Sequence, residues 1–276
     1  MYKIVAMDLD GTLFNQYQKI SVKNLEALEA LKRRHTYLVI ASGRTHGDIS
    51  HLVEQLGLSE YDRAFIVSYN GVVAAKTNPY QVIYRKMIHG FDVRSIARLV
   101  EPMGLKMHVF CDKKVYLSED TEYTIDSDSE LMLHASRVKM TEYDGPEDVY
   151  KVLLLDDGEK LDDFQKTIPP EFLDRYTIFK SASHLLEFVH KLGSKGDALS
   201  YIANSLGIDR GDVMAFGDEE NDISMLKFAG MGIAMDNAKS KVKKSASVIT
   251  LSNKLDGVAE AINKYILLGE EQNHDI

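Results

Sequence analysis

The stretch that most limits how this chain can fold is its beginning, where Lys3-Ile4-Val5-Ala6-Met7 runs directly into Asp8-Leu9-Asp10-Gly11-Thr12. Four consecutive apolar residues, Ile4 to Met7, read as a buried strand, and the glycine marks an abrupt turn after it. Two carboxylates one residue apart at the end of such a strand need a cation or hydrogen bonds to offset their desolvation. The crevice outside the carboxyl ends of the strands is also where open α/β sheets bind ligands. The rest of the chain is therefore read for what these two aspartates require.

With 276 residues the chain has material for one large or two medium domains, and 45% hydrophobic with 27% charged residues is an ordinary soluble, globular balance. Its 42 acidic against 33 basic side chains leave a formal charge of -9. That sign disfavours nucleic acid and anionic membranes as partners, so neither is expected, and an anionic substrate must find its counter-charges locally. Cys111 is the one cysteine. It excludes an intrachain disulfide, suits a reducing compartment and reads as a plain packed thiol. The first residues lead straight into a strand and no run approaches membrane-spanning length, so a cytoplasmic location is expected.

Along the chain, Ser21 can cap a helix carrying Val22, Leu25, Leu28 and Leu31. A strand at Tyr37 to Ala41 then ends in Ser42-Gly43-Arg44, a helix through Ile49, Leu52, Val53 and Leu56 closes at Gly57, and a third strand spans Ala64 to Val67. This alternation predicts a parallel sheet with helices on its faces. The rhythm changes at Asn70-Gly71: short strands at Val72 to Ala75 and Gln81 to Lys86 flank Asn78-Pro79. A mixture of strand and helix patterns follows, including an acidic stretch from Glu119 to Glu130 that reads as solvated surface. We assign residues 82–187 to an α+β insertion and residues 1–81 and 188–276 to the core. The first rhythm returns at Ser194, with a helix carrying Ala198, Leu199 and Ile202, a strand at Val213 to Phe216, and further elements through a last helix at Val258 to Leu268. The polar tail, Gly269 to Ile276, reads as frayed. The expected fold is α/β, a doubly wound, Rossmann-like parallel-sheet core with an inserted α+β cap.

In a parallel sheet the strand ends share one rim, which brings Asp8-Leu9-Asp10-Gly11-Thr12, Ser42-Gly43-Arg44 and Gly217-Asp218-Glu219-Glu220-Asn221-Asp222 together with the helix start Ser194-Lys195-Gly196. Asp8, Asp218 and the carbonyl of Asp10 are hard oxygen ligands of the kind Mg2+ takes alongside water and a substrate phosphate. Lys195, the Ser42-Gly43 amides and hydroxyl, and Asn221 can hold phosphate oxygens. One carboxylate can attack phosphorus to form an aspartyl-phosphate, while the second protonates the leaving oxygen and later deprotonates the hydrolytic water.

These four groups, in this order, resemble the four motifs of the haloacid dehalogenase-like hydrolases, and an insertion between the second and third motifs resembles the Cof-type phosphatases with a type IIB cap. The resemblance implies Asp8 as nucleophile and metal ligand, and Asp10 as general acid/base that ligates through its carbonyl. It implies Asp218 as a metal ligand, with Leu9, Ser42, Gly43, Lys195 and Asn221 binding phosphate. Thr12, Arg44 and Asp222 would support these groups from behind, Asp222 by orienting Lys195 or metal-bound water. The implied activity is a Mg2+-dependent phosphatase of small phosphorylated metabolites such as sugar phosphates.

Two other functions fit part of the pattern: a phosphosugar mutase, and a phospho-accepting signalling module, against which the long insertion and Asp10 both argue. Nothing in the sequence specifies an oligomeric state. Asp156-Asp157-Gly158 has the wrong spacing for a calcium loop and reads as a turn feeding a helix. His184 and His190 stand near the exit of the insertion as candidate substrate contacts, and Arg44 either orients neighbouring groups or pairs with an acid.

Overall fold

The computed structural model describes residues 2–112, 114–118 and 135–268. The acidic stretch from Glu119 to Glu130 and the tail from Gly269 lie outside the described residues. The Ile4–Met7 strand sits near the centre of an eight-stranded sheet. Its neighbours are Val213–Gly217, Met231–Ala234 and Val248–Ile249 on one side, and Tyr37–Ala41, Ala64–Ser68, Val73–Thr77 and Tyr80–Arg85 on the other. Ile4–Met7 and the first five of these run parallel, and the last two are added through antiparallel pairings.

Alternation along each strand explains why the parallel strands are apolar throughout. Val5, Met7, Leu38, Ile40, Met214 and Phe216 pack beneath the helices Val22–Arg33, His46–Gln55 and Gly257–Ile262. Ile4, Ala6, Val39, Ala41, Val213 and Ala215 pack beneath Lys195–Ser205 and Ile223–Phe228. The central strands Ile4–Met7, Tyr37–Ala41, Ala64–Ser68 and Val213–Gly217 therefore bury both faces, with their polar residues confined to their ends. The Ser21 hydroxyl accepts from the Asn24 N–H and Thr45 accepts from Asp48, so these helices begin where cap chemistry dictates.

The second unit is a six-stranded sheet ordered Tyr176–Ala182, Leu185–His190, Lys151–Leu155, Lys106–Phe110, Val115–Leu117 and Ser136–Arg137. One face is covered by Gly90–Val100 and Gly158–Thr167, through Val93, Ile96, Leu161 and Phe164. The other face turns toward the large sheet, where Phe110, Leu153 and Val189 meet Tyr69, Val72 and Val73. Tyr69 and Tyr150 stack across this contact at 4.3 Å. Strand pairing guides where one unit is taken to give way to the other. Tyr80–Arg85 pairs with the large sheet and Leu185–His190 lies wholly within the small one, so we propose crossings at Lys86-Met87 and Lys191-Leu192, a few residues beyond the expected 82 and 187.

Two short helices, Pro170–Arg175 and Ser240–Lys243, were not anticipated, because six and four residues are too few to show a helical period. The last helix is regular only over Gly257–Ile262 and continues as a wider turn through Leu267. Among the described residues no helix is long and apolar enough to cross a membrane.

Candidate active site

Asp8 is held at the strand end by its N–H, which donates to the Phe216 carbonyl at 3.1 Å. The chain then makes one wide turn, closed by the Phe14 N–H to the Leu9 carbonyl at 2.8 Å. Gly11, at φ +82°, lies against the Asp218 carboxylate, which a side chain there would displace. That close approach joins the first strand end to the fourth. On its far side Thr12 donates to Asp218 Oδ1 at 2.7 Å, and Asn237 donates to the Gly11 carbonyl at 2.8 Å.

Lys195, the first residue of its helix, has no exposed surface, and its Nζ donates to Asp8 Oδ1 and to Asp222 Oδ1, both at 2.6 Å. A reciprocal cap between Ser194 and Asp197 fixes where this helix starts. Burial pulls the Lys195 pKa down, but Asp222 and Asp8 more than offset it and the ammonium is held charged. The second oxygen of Asp222 accepts from the backbone N–H groups of Asp218 and Glu219 at 2.9 and 3.0 Å. Asp222 thus anchors both the lysine and the loop that presents Asp218.

Asp8, Asp218 and Asp222 are all buried, with one oxygen from each lying within 4.8 Å of the others. Three buried carboxylates against one ammonium leave a formal excess of two negative charges. Their proton affinities register the imbalance. Burial, opposed by Lys195 but reinforced by Asp222 and Asp218, raises the Asp8 pKa well above the carboxylate range. Burial and then Asp222 push Asp218 up to about 7. Such a cluster of hard oxygens fits a divalent cation, which would restore neutrality. Both oxygens of Asp222 are engaged by short hydrogen bonds, whereas Asp218 Oδ2 accepts only a long one from Asn237 at 3.4 Å and Asp8 is engaged through Oδ1, so Asp8 and Asp218 are the carboxylates most open to a metal.

Above this cluster lies a cavity of about 340 Å3. Asp8, Asp10, Ser42, Gly43, Arg44 and Asn221 line it from the core. Ser42 is 1% exposed, and its hydroxyl accepts from the Arg44 N–H at 3.2 Å. Arg44 pairs with an acid, and the acid is Asp10: Nε and Nη2 reach its two carboxylate oxygens at 2.8 and 2.7 Å. Leu9 and Thr12 are buried within the opening turn, below the cavity. His184 and His190 are not among the described residues that line it. Asp157 caps the Gly158–Thr167 helix through the Glu159 N–H, as a turn feeding a helix should.

Sequence reasoning missed four residues here. Asn70 donates to Glu187 at 2.9 Å and accepts from Asn221 at 2.8 Å, while Lys151 stands 3.5 Å from Glu187 and Asn237 braces the Gly11 turn. Asn70-Gly71 follows the third parallel strand at the same rim, a signal absorbed as a turn. Lys151 and Glu187 are single charges in otherwise apolar strands, the pattern of a charge with an inward task.

A family model described as haloacid dehalogenase-like hydrolase matches residues 5–262. A Bacillus subtilis protein named 5-amino-6-(5-phospho-D-ribitylamino)uracil phosphatase YcsE is 32% identical over 266 residues, covering 96% of each chain. Phosphatase YwpJ of the same organism is 29% identical over 296 residues, covering 96% of this chain and all of its own. Among solved structures, a haloacid dehalogenase-like hydrolase from Bacteroides thetaiotaomicron superposes with a TM-score of 0.77 at 32% identity, over 96% of this chain and 100% of that one. The subclass IIB sugar phosphatase BT4131 superposes with a TM-score of 0.80 at 25% identity, over 95% and 98%.

Proposed function

This chain belongs to the haloacid dehalogenase-like hydrolases, and from that membership we propose a Mg2+-dependent phosphomonoester hydrolase that acts on a small phosphorylated metabolite through an aspartyl-phosphate. The observation that carries the reading is the buried group of Asp8, Lys195, Asp222 and Asp218 with its uncompensated negative charge beneath a cavity. Mg2+ bound by Asp8, Asp218 and the Asp10 carbonyl would neutralise that charge and screen the phosphoryl group from the attacking carboxylate. Lys195 fixes Asp8 through Oδ1, which leaves Oδ2 as the attacking oxygen. Attack forms the Asp8–phosphorus bond and breaks the ester bond, and Asp10 gives its proton to the departing oxygen. Asp10 then takes a proton from water as that water attacks phosphorus, which releases phosphate and restores Asp8. Both Asp10 oxygens are taken by Arg44 in this arrangement, so its carboxylate turns from the guanidinium toward the leaving oxygen before proton transfer.

Leu9, Ser42, Gly43, Lys195 and Asn221 would hold phosphate oxygens. Substrates in the relatives' names carry phosphate on a sugar or a ribityl chain, which supports a polyol phosphate here. The test is phosphate release from p-nitrophenyl phosphate and a panel of sugar and polyol phosphates, with Mg2+ or with chelator. Release that requires Mg2+ is expected; intact protein inert toward the whole panel overturns the reading. Isomerisation of a hexose phosphate without phosphate release, followed by phosphorus NMR, would replace it with a mutase.

A further inference from the structure

The cavity has a second wall, built by the smaller unit from Lys151, Leu153, Ser181, Leu185 and Glu187. Leu153 lies opposite Glu187 in the sheet register and Lys151 is two residues away on the same strand, so all three project from one face. We propose that Lys151 and Glu187 form a specificity pair that selects an uncharged, hydroxyl-bearing leaving group and rejects one carrying a second anionic group. This rests on the phosphatase reading above.

Among the described residues, the cations lining the cavity are Arg44 and Lys151. Arg44 stands beside Asp10 on the core wall, while on the wall from the smaller unit Lys151 faces the Glu187 carboxylate at 3.5 Å and the Phe110 ring at 4.8 Å. His108, opposite Leu153 on the adjoining strand, adds no charge: burial first, and then the Lys151 ammonium, lower its pKa to about 4. Among the described residues, the wall that the smaller unit contributes is therefore balanced, Lys151 against Glu187, with no surplus positive charge to hold a second phosphate or a carboxylate.

Glu187, moreover, cannot retreat. It is 2% exposed, and its Oε2 accepts from Asn70 at 2.9 Å. Asn70 is itself held by Asn221 at 2.8 Å, in a left-handed backbone conformation at φ +59°, against Gly43. A second anion would meet this fixed, buried carboxylate, and like charges at close range repel. A hydroxyl meets both needs at once. It accepts from Lys151, whose one hydrogen-bond partner among the described residues is Glu187, and it donates to Glu187 Oε1. The buried Ser181 hydroxyl, without a hydrogen-bond partner among the described residues, offers a further contact, and Leu153 and Leu185 cover a carbon skeleton.

Sorbitol 6-phosphate and 6-phosphogluconate share a skeleton and differ by a hydroxymethyl group against a carboxylate, and p-nitrophenyl phosphate has no hydroxyls to read. With the full chain and Mg2+, kcat/KM for sorbitol 6-phosphate should exceed that for 6-phosphogluconate by about tenfold or more. Glu187→Gln keeps an oxygen for Asn70 but removes the charge, and should shrink that ratio to about threefold or less by improving the carboxylated substrate. Lys151→Met should lower kcat/KM for sorbitol 6-phosphate about tenfold more than for p-nitrophenyl phosphate, through KM. Turnover of p-nitrophenyl phosphate with equal use of the two polyol substrates overturns this inference alone, as does a ratio that Glu187→Gln leaves unmoved. No turnover of any of the three overturns the hydrolase reading with it.

Discussion

Asp8 and Asp10, one residue apart, have separate surroundings. Asp8 is 6% exposed and bonded to a buried lysine, whereas the Asp10 side chain is 44% exposed and held at the rim by Arg44. A nucleophile gains from desolvation and a fixed direction; a group that exchanges protons with water needs access to it. Asp8→Asn is expected to lower kcat by a factor on the order of 10^4 or more, and Asp10→Asn by about 10^2 to 10^4, in single-turnover and steady-state phosphate release. Near-normal turnover by Asp8→Asn would remove it as nucleophile. Lys195 gives a stability test at the same site. Lys195→Met leaves the Asp8 and Asp222 carboxylates buried without their cation, and by the usual cost of breaking a buried pair should lower unfolding free energy by about 3–5 kcal/mol in urea titrations.

The elements matter through their ends. The Lys195–Ser205 helix delivers its first residue into the site, so its start must not fray or slip. Ser194→Ala removes the side-chain acceptor for the Asp197 N–H and should cost about 1 kcal/mol of stability, with an accompanying rise in KM if the lysine end of the helix loosens. Gly71, at φ +111°, brings the end of the third strand against the Ser194 backbone, where an added methyl group would overlap it. Gly71→Ala combines that overlap with backbone strain and should destabilise by about 1–3 kcal/mol, measured by chemical unfolding. Strand ends and helix starts were legible in the sequence because capping residues and turn glycines act over three or four neighbours. The short helices at Pro170–Arg175 and Ser240–Lys243 carry no such period and came only with the fold.

At the scale of the whole molecule, Asp8 and Asp218 are assembled only in the folded state, so a metal held between them stabilises the entire fold by mass action. The sign of the pH effect follows from Asp218. Its pKa rises from 3.8 in the ordinary state to about 7 on folding, so its contribution favours the metal-free fold below about 4 and is lost as pH climbs through 7. Mg2+ at the proposed site would bind the deprotonated form and offset that loss. The increase in Tm produced by Mg2+ should therefore be larger at pH 8 than at pH 5.5 in differential scanning calorimetry; an equal increase at both would contradict metal binding at Asp218.

What the sequence determined by itself was the alternation of strands and helices, the rim on which Asp8, Ser42, Lys195 and Asp218 converge, and the presence of an insertion. Each follows from local periodicity and from the rule that parallel strands end on one side. What only the tertiary structure decided was which side chains meet across that rim. Asn70 bonds to Glu187 across 117 positions and to Asn221 across 151, and Arg44 spends its guanidinium on Asp10 across 34. Such contacts depend on the register of two sheets and on how one unit seats against the other. No pattern of near neighbours encodes either, which is why the opening aspartates were readable at once and the wall that faces their substrate was not.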